Sequence, residues 1–218
     1  MKIVSVILAR GGSKGVPNKN IIDLNGKPLI QYSIESSKMS IVGEETYVSS
    51  DSDDILDIAK GLGAKIIKRP DNISDDLDKS ELALIDFVNR VDSDVVVFIQ
   101  PTSPMIKPED IDAGVLMLRK DTSLNSVLSV YEEHWTPRWG RDRKPVDWDI
   151  CNRPMRQEVE SNYAENGAFY ISRTPLIKKN KLRYTAPFDY VVMSQENSFQ
   201  IDSFADLELV NKILKINE

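Results

Sequence analysis

The sequence predicts a three-layer α/β domain with a mainly parallel sheet. Two stretches, Ile3–Ala9 and Asp94–Ile99, are almost wholly apolar and rich in β-branched residues, the pattern of strands covered on both faces. Around them, strand, loop and amphipathic helix follow one another as far as Val130. That order calls for crossover helices on both sides of a sheet.

Ile3–Ala9 opens the chain as a strand, and Arg10–Asn20 follows with three glycines, one proline and three cations. Pro28–Ser37 places Leu29, Ile30, Ser33, Ile34 and Ser37 on one helical face. Glu45–Ser50 reads as a short strand running into Asp51. Asp53–Leu62 is an amphipathic helix, with Asp53 and Asp54 at its positive end and Gly61 and Gly63 closing it. Lys65–Lys68 is another strand. Lys79–Val91 is a helix whose core side is expected to be Leu82, Ile85, Phe87 and Val88. Asp94–Ile99 leads into Gln100-Pro101-Thr102-Ser103-Pro104, Glu109–Lys120 forms a helix, and Ser126–Val130 a strand. There the pattern breaks. Tyr131–Asn162 holds Trp135, Trp139, Trp148 and several arginines without periodicity, and reads as an arm or β-ribbon leaving the sheet. Strands resume at Gly167–Ile171 and Asp189–Met193, and a helix from about Ser203 to Leu214 follows. Residues 1–218 are read as one domain with an arm at about 131–162.

Composition removes several functions. One cysteine, Cys151, excludes a disulfide framework and a cysteine-rich zinc site. One histidine, His134, excludes multi-histidine metal centres and argues against a histidine triad. A net charge of −6, from 28 basic and 34 acidic side chains, argues against a nucleic-acid partner. No apolar run approaches the ~18–20 residues of a membrane span. The expectation is a cytoplasmic protein with neither a membrane nor a nucleic-acid partner.

Chemistry is concentrated at strand ends, where open α/β sheets bind ligands. Arg10-Gly11-Gly12-Ser13-Lys14-Gly15 follows the first buried strand. Its glycines would let backbone amides approach an anion, and Arg10, Lys14 and Lys19 would complement phosphates. The order is neither a P-loop nor GxGxxG, and a solvated turn is the plainer alternative. Gln100 ends the other buried strand and offers an amide for reading a base or a hydroxyl. Asp206 reads as a first-turn carboxylate of the last helix. Asp202 fits either that helix's N-cap or a magnesium ligand. Ser50-Asp51 and Ser74-Asp75 end or follow strands, as turns or caps. Arg153, Arg156 and Gln157 form a second cationic group, suited to a carboxylate or simply solvated.

Taken in order, ILARGGSKGVPNKNI, Ser50-Asp51, FIQPTSP, MRQ, NGAFYI and QIDSFADL resemble the acylneuraminate cytidylyltransferases, the CMP-sialic acid synthetases, along nearly the whole chain. The resemblance implies a Rossmann-like nucleotidyltransferase fold with a protruding dimerisation arm. It also implies transfer of CMP from CTP to the anomeric hydroxyl of a 2-keto-3-deoxy sugar acid, with Mg2+ as cofactor and a homodimer as the assembly. By the same resemblance Ala9, Arg10, Gly11, Ser13, Lys14, Lys19 and Asn20 hold the nucleotide, with Ser50, Asp51 and Ser74 beside it. Gln100, Arg156, Gln157, Arg183 and Tyr184 face the sugar, and Asp202 binds the metal. Arg10, Lys14, Lys19 and Asp202 would then carry catalysis. Three positions depart from the family pattern. Gln200 replaces the first aspartate of the metal element, Arg183-Tyr184 stands where paired phenylalanines are common near the sugar, and Ala164 replaces an arginine or other polar residue. The departures affect one metal ligand and the sugar half, which points to an altered sugar acid, legionaminate-like or pseudaminate-like. A nucleotidyltransferase using a sugar 1-phosphate and a catalytically silent nucleotide-binding homologue are the alternatives.

Overall fold

A computed structural model describes residues 1–13, 15–70 and 80–216. Its elements in chain order begin with β1 (Ile3–Leu8), the short hairpin β2 (Asp23–Leu24) and β3 (Lys27–Pro28), and α1 (Leu29–Met39). Next come β4 (Thr46–Ser50), α2 (Asp53–Gly61), β5 (Lys65–Lys68), α3 (Ser80–Arg90), β6 (Val95–Ile99) and α4 (Pro108–Lys120). Then follow β7 (Ser126–Glu133), β8 (Arg138–Trp139), β9 (Pro145–Val146), β10 (Asn162–Arg173), α5 (Thr174–Asn180), β11 (Phe188–Met193) and α6 (Phe204–Ile216). Seven strands form the central sheet in the order β11-β7-β10-β6-β1-β4-β5. Six run one way. Only β10 is reversed, antiparallel to both β6 and β7.

Alternation along each strand divides the core between two faces. Ile3 and Ile7 of β1 join Ile30, Ile34, Ile55, Ile111 and Val115 on the α1, α2 and α4 side. Val4 and Val6 meet Leu84, Phe87 and Ile177 on the α3 and α5 side. The serines of α1 are buried because they are bonded. Ser37 Oγ shares a hydrogen bond of 2.6 Å with Ser5 Oγ and one of 2.8 Å with Thr46 Oγ1, tying the helix to β1 and β4. A third apolar cluster, with Leu24, Leu29, Met105, Ile201 and Val210, seats α6 against the β2–β3 hairpin and the start of α1.

One expectation needs correction. The buried stripe of α3 is Ala83, Leu84, Phe87 and Val88; Leu82 is exposed and Ile85 half-buried. The stripe has turned by about one residue because small Ala83, not Leu82, faces the sheet. β7 continues to Glu133, which pairs with Asn162 of β10, so the excursion begins after this extended antiparallel pair. Beyond it, β8 and β9 pair as a small ribbon, and Trp148 packs edge-on against Trp135 and Trp139 at 6.5 and 5.0 Å.

Candidate active site

Parallel pairing of β6, β1 and β4 sets their carboxyl ends side by side. These ends release the three segments singled out above: Gln100 onward, Ala9 onward and Asp51. Reversal of β10 brings its early residues, Asn166–Ala168, to the same edge, where Gln100 N–H donates to Ala168 O at 3.0 Å. The chain then returns a fourth time: Ile201 N–H donates to Thr102 O at 2.9 Å, laying Gln200–Asp202 across the strand ends.

The glycine-rich loop is anchored on both sides. Ala9 N–H donates to Ser49 O, and Gly11 N–H donates to Asp51 Oδ1, each at 3.0 Å. Gly11's amide is therefore held by a carboxylate rather than left to face an anion. Asn20 is buried, its Nδ2 donating to Arg10 O at 2.8 Å, while its Oδ1 is buried with no partner among the described residues. Lys19 Nζ reaches Asp202 Oδ1 at 2.9 Å; the lysine side chain is only 15% exposed, the carboxylate 69%. Gly15 lies against the same segment, where a Cβ would come 2.7 Å from Asp202 O. Loop and late carboxylate are thus one unit. Lys14, Ser74 and Asp75 lie outside the described residues. Ser13 is half-buried in the loop, and Ser50 is buried with its Oγ accepting from Ser52 N–H.

Asp202 is not the helix cap. Ser203 takes that role: Asp206 N–H donates to Ser203 Oγ at 3.3 Å, and Ser203 N–H returns to Asp206 Oδ2 at 2.8 Å, a capping box. Asp206 also accepts from Asp202 N–H at 3.1 Å, so the cap fixes the backbone that carries Asp202. These donors, Ser203 first, hold the Asp206 carboxyl below its usual range.

At the same strand edge, around Gln100 and Gln200, opens a cleft of about 410 Å³, lined also by Tyr131, Glu165, Asn166 and Phe199 among others. Gly167 adopts φ +68°, and a Cβ there would fall 2.6 Å from Gln200 Nε2. Gln200 Nε2 donates to Asn166 O, and Asn166 Nδ2 donates to Ser198 Oγ at 2.9 Å. Gln200 therefore braces the turn into the central part of β10. Among the described residues, no group of three or more His, Cys, Asp or Glu side chains is placed to hold a metal.

The remaining candidates do not line this cleft. Arg156 and Gln157 are exposed on the arm. Arg183 lies on the α3 side of the sheet, its Nε donating to Glu81 Oε1 at 2.7 Å and its guanidinium over the Tyr170 and Phe98 rings. Tyr184 stacks on Tyr170 at 5.7 Å and reaches the cleft only through Glu165, to whose Oε2 its hydroxyl donates at 3.3 Å. Burial pushes the Tyr170 phenol well above its usual pKa, and hydrogen bonding to Glu165 adds to the shift.

Sequence reasoning missed two residues here. Arg69, 4% exposed at the end of β5, sits 3.5 Å from Asp51 and backs the glycine loop. Burial pulls its pKa down, with Asp51 opposing. The strand-end logic applied to the other segments would have found it. Glu165 immediately precedes the Asn166-Gly167 pair already singled out.

Comparison with known proteins gives a family for the chain. The family model described as cytidylyltransferase matches residues 4–201. The chain is 36% identical over 208 residues to the N-acylneuraminate cytidylyltransferase of Oncorhynchus mykiss, covering 92% of this chain and 47% of that protein. It is 32% identical to the CMP-N,N'-diacetyllegionaminic acid synthase of Legionella pneumophila, covering 100% of this chain and 98% of the relative. The chain thus spans about half the length of the fish protein and nearly all of the bacterial one. Its fold matches that of a CMP:2-keto-3-deoxy-manno-octonic acid synthetase complexed with CTP, with a TM-score of 0.78 at 20% identity over the whole of both chains. The family match spans β1, the glycine loop and the segment up to Ile201, and the chain belongs to the cytidylyltransferase family.

Proposed function

We propose that this chain transfers a cytidylyl group from CTP to the anomeric hydroxyl of a 2-keto-3-deoxy sugar acid, releasing pyrophosphate. The Lys19–Asp202 contact carries the reading, because it joins a cationic loop to an exposed carboxylate beside a polar cleft. The activities for which the fish and Legionella relatives are named support it. In this scheme the sugar oxygen attacks the α-phosphorus, the bond to pyrophosphate breaks, and the hydroxyl proton is lost to solvent or a substrate group. Arg10 and Lys19, with Lys14, supply positive charge around the phosphates, and preorganised charge of this kind is the main catalytic lever for phosphoryl transfer. Asn20 Oδ1 offers a buried acceptor to a ligand N–H or O–H. Gln100 faces the acceptor sugar.

A divalent metal, Mg2+ in our reading, fits one open carboxylate better than a resident cage would. Magnesium is commonly held by one or two carboxylates plus substrate phosphates. Asp202 would supply that ligand, and the ion would neutralise charge developing on the pyrophosphate. Gln200 Nε2 is committed to Asn166 O, which leaves its Oε1 as the one atom of that side chain able to ligate.

We further read residues 1–218 as one domain working as a cytoplasmic homodimer. Among the described residues lining the cleft, only Glu165 is charged, so none of them offers a cation to a sugar carboxylate. Exposed Arg156 and Gln157 on the arm of a second copy would complete the site. No described helix is long and apolar enough to cross a membrane. The test is pyrophosphate release from CTP across a panel of sugar acids and sugar 1-phosphates. Turnover with a sugar acid supports the proposal. Turnover only with a sugar phosphate, or CTP binding without turnover, overturns it.

A further inference from the structure

Glu165 is the one charged side chain among the described residues lining the cleft, and it is negative in a site read as accepting an acid. A carboxylate there has a reason only if it is aimed. Its Oε1 accepts from Tyr170 O–H and its Oε2 from Tyr184 O–H at 3.3 Å, so both oxygens are held from behind. The two phenols are themselves fixed: their rings stack at 5.7 Å with an interplanar angle of 1°. Behind Tyr170 the Arg183 guanidinium lies 5.1 Å from the ring centroid and is anchored to Glu81 of α3. A chain of alternating charge thus runs from the far face of the sheet to the cleft wall. The carboxylate itself remains exposed on the cleft side, with lone pairs left for a ligand.

Two consequences follow from elementary electrostatics. An ionised carboxylate accepts strongly from an N–H or O–H donor. It also disfavours a second carboxylate beside it. We propose that Glu165 is a specificity-determining residue that accepts a hydrogen bond from an amide N–H or hydroxyl of the sugar acid and turns that sugar's carboxylate toward the opposite end of the cleft, with Tyr170 and Tyr184 as positioning residues. This rests on the sugar-acid reading above. It also explains why Arg183-Tyr184 departs from an apolar pair: here those side chains brace a polar contact.

The test measures steady-state pyrophosphate release by wild type, Glu165→Gln and Tyr184→Phe, with the accepted sugar acid and analogues lacking one N–H or O–H donor at a time. The expected result is an acceptor KM raised at least tenfold by Glu165→Gln and about threefold by Tyr184→Phe. KM for CTP stays within twofold and the melting temperature is nearly unchanged. One donor-deleted analogue should lose at least fivefold with wild type and nothing further with Glu165→Gln, the signature of a direct pair. An unchanged acceptor KM, or losses that multiply for every analogue, overturns the assignment while leaving the reaction standing. Wild-type turnover with no sugar acid at all overturns both.

Discussion

Lys19 and Asp202 lie 183 positions apart in sequence and 2.9 Å apart in space, and the contact closes the glycine-rich loop onto the segment leading into α6. A mostly buried ammonium held beside an exposed carboxylate places fixed charge of both signs at one strand edge. Under the proposed reaction the two have different tasks. Lys19→Ala is expected to raise KM for CTP about tenfold, the loss of one charge-assisted contact. Asp202→Asn is expected to lower kcat by about 100-fold, in the range of other preorganised electrostatic groups. The double variant should lose less than the product of the two, because the side chains touch. Strict additivity would place them in separate functions.

Gly15 tests the closeness of that apposition. A methyl group at this position would come 2.7 Å from Asp202 O, which is backbone and cannot swing aside. Gly15→Ala is expected to weaken CTP binding about tenfold, or ~1.4 kcal/mol. Calorimetric titration with CTP measures the first effect. Thermal melting should fall as well, since the Asp202 backbone must shift to admit the added Cβ.

Gln200 looks in sequence like a lost metal ligand that Gln200→Asp would restore. The structure gives the opposite expectation. An aspartate cannot donate to Asn166 O and would set a negative charge against that carbonyl. Gln200→Asp should lower folding stability by ~1–3 kcal/mol, the range for orphaning a buried polar group, as read by urea denaturation. A variant as stable as the parent would remove Gln200 from its bracing role.

Asp206 couples the helix cap to the site. Asp206→Ala removes the acceptor of Ser203 N–H and Asp202 N–H together and should cost about 1 kcal/mol of stability. Its carboxyl sits below the usual range when folded, so this stabilisation is complete above the unfolded pKa of about 3.9. It fades as pH falls through the lower folded value. Acid unfolding of parent and variant should therefore converge at low pH.

The strand-end segments were legible because burial writes itself into composition. Lys65–Lys68 falls where its pattern put it, and the α1 face matches from Leu29 to Ser37. The loop after β1 and the turn after β6 had to share an edge once both strands were parallel. Strand direction was not legible. Gly167–Ile171 reads the same whether it runs up or down, and its reversal is what delivers Asn166 and Glu165 to the cleft. α5, at seven residues, was too short to show a period, and Ala83 too small to mark a buried face. Arg183 and Tyr184 were assigned to the sugar by position alone; an ion pair with Glu81, 102 residues away, decides where they sit and cannot be read from local sequence.

The reversed β10 also dictates an order of assembly. β6 and β7 follow one another along the chain, yet neither can pair with the other, because the strand that separates them is made only at residues 162–173. A nascent chain emerging from the ribosome therefore holds one flank of its sheet open until residues 162–173 are synthesised. Until then β6 presents an apolar, unpaired rim, the kind of edge that invites aggregation. Premature termination anywhere before that wedge would yield a sticky fragment rather than a smaller folded protein.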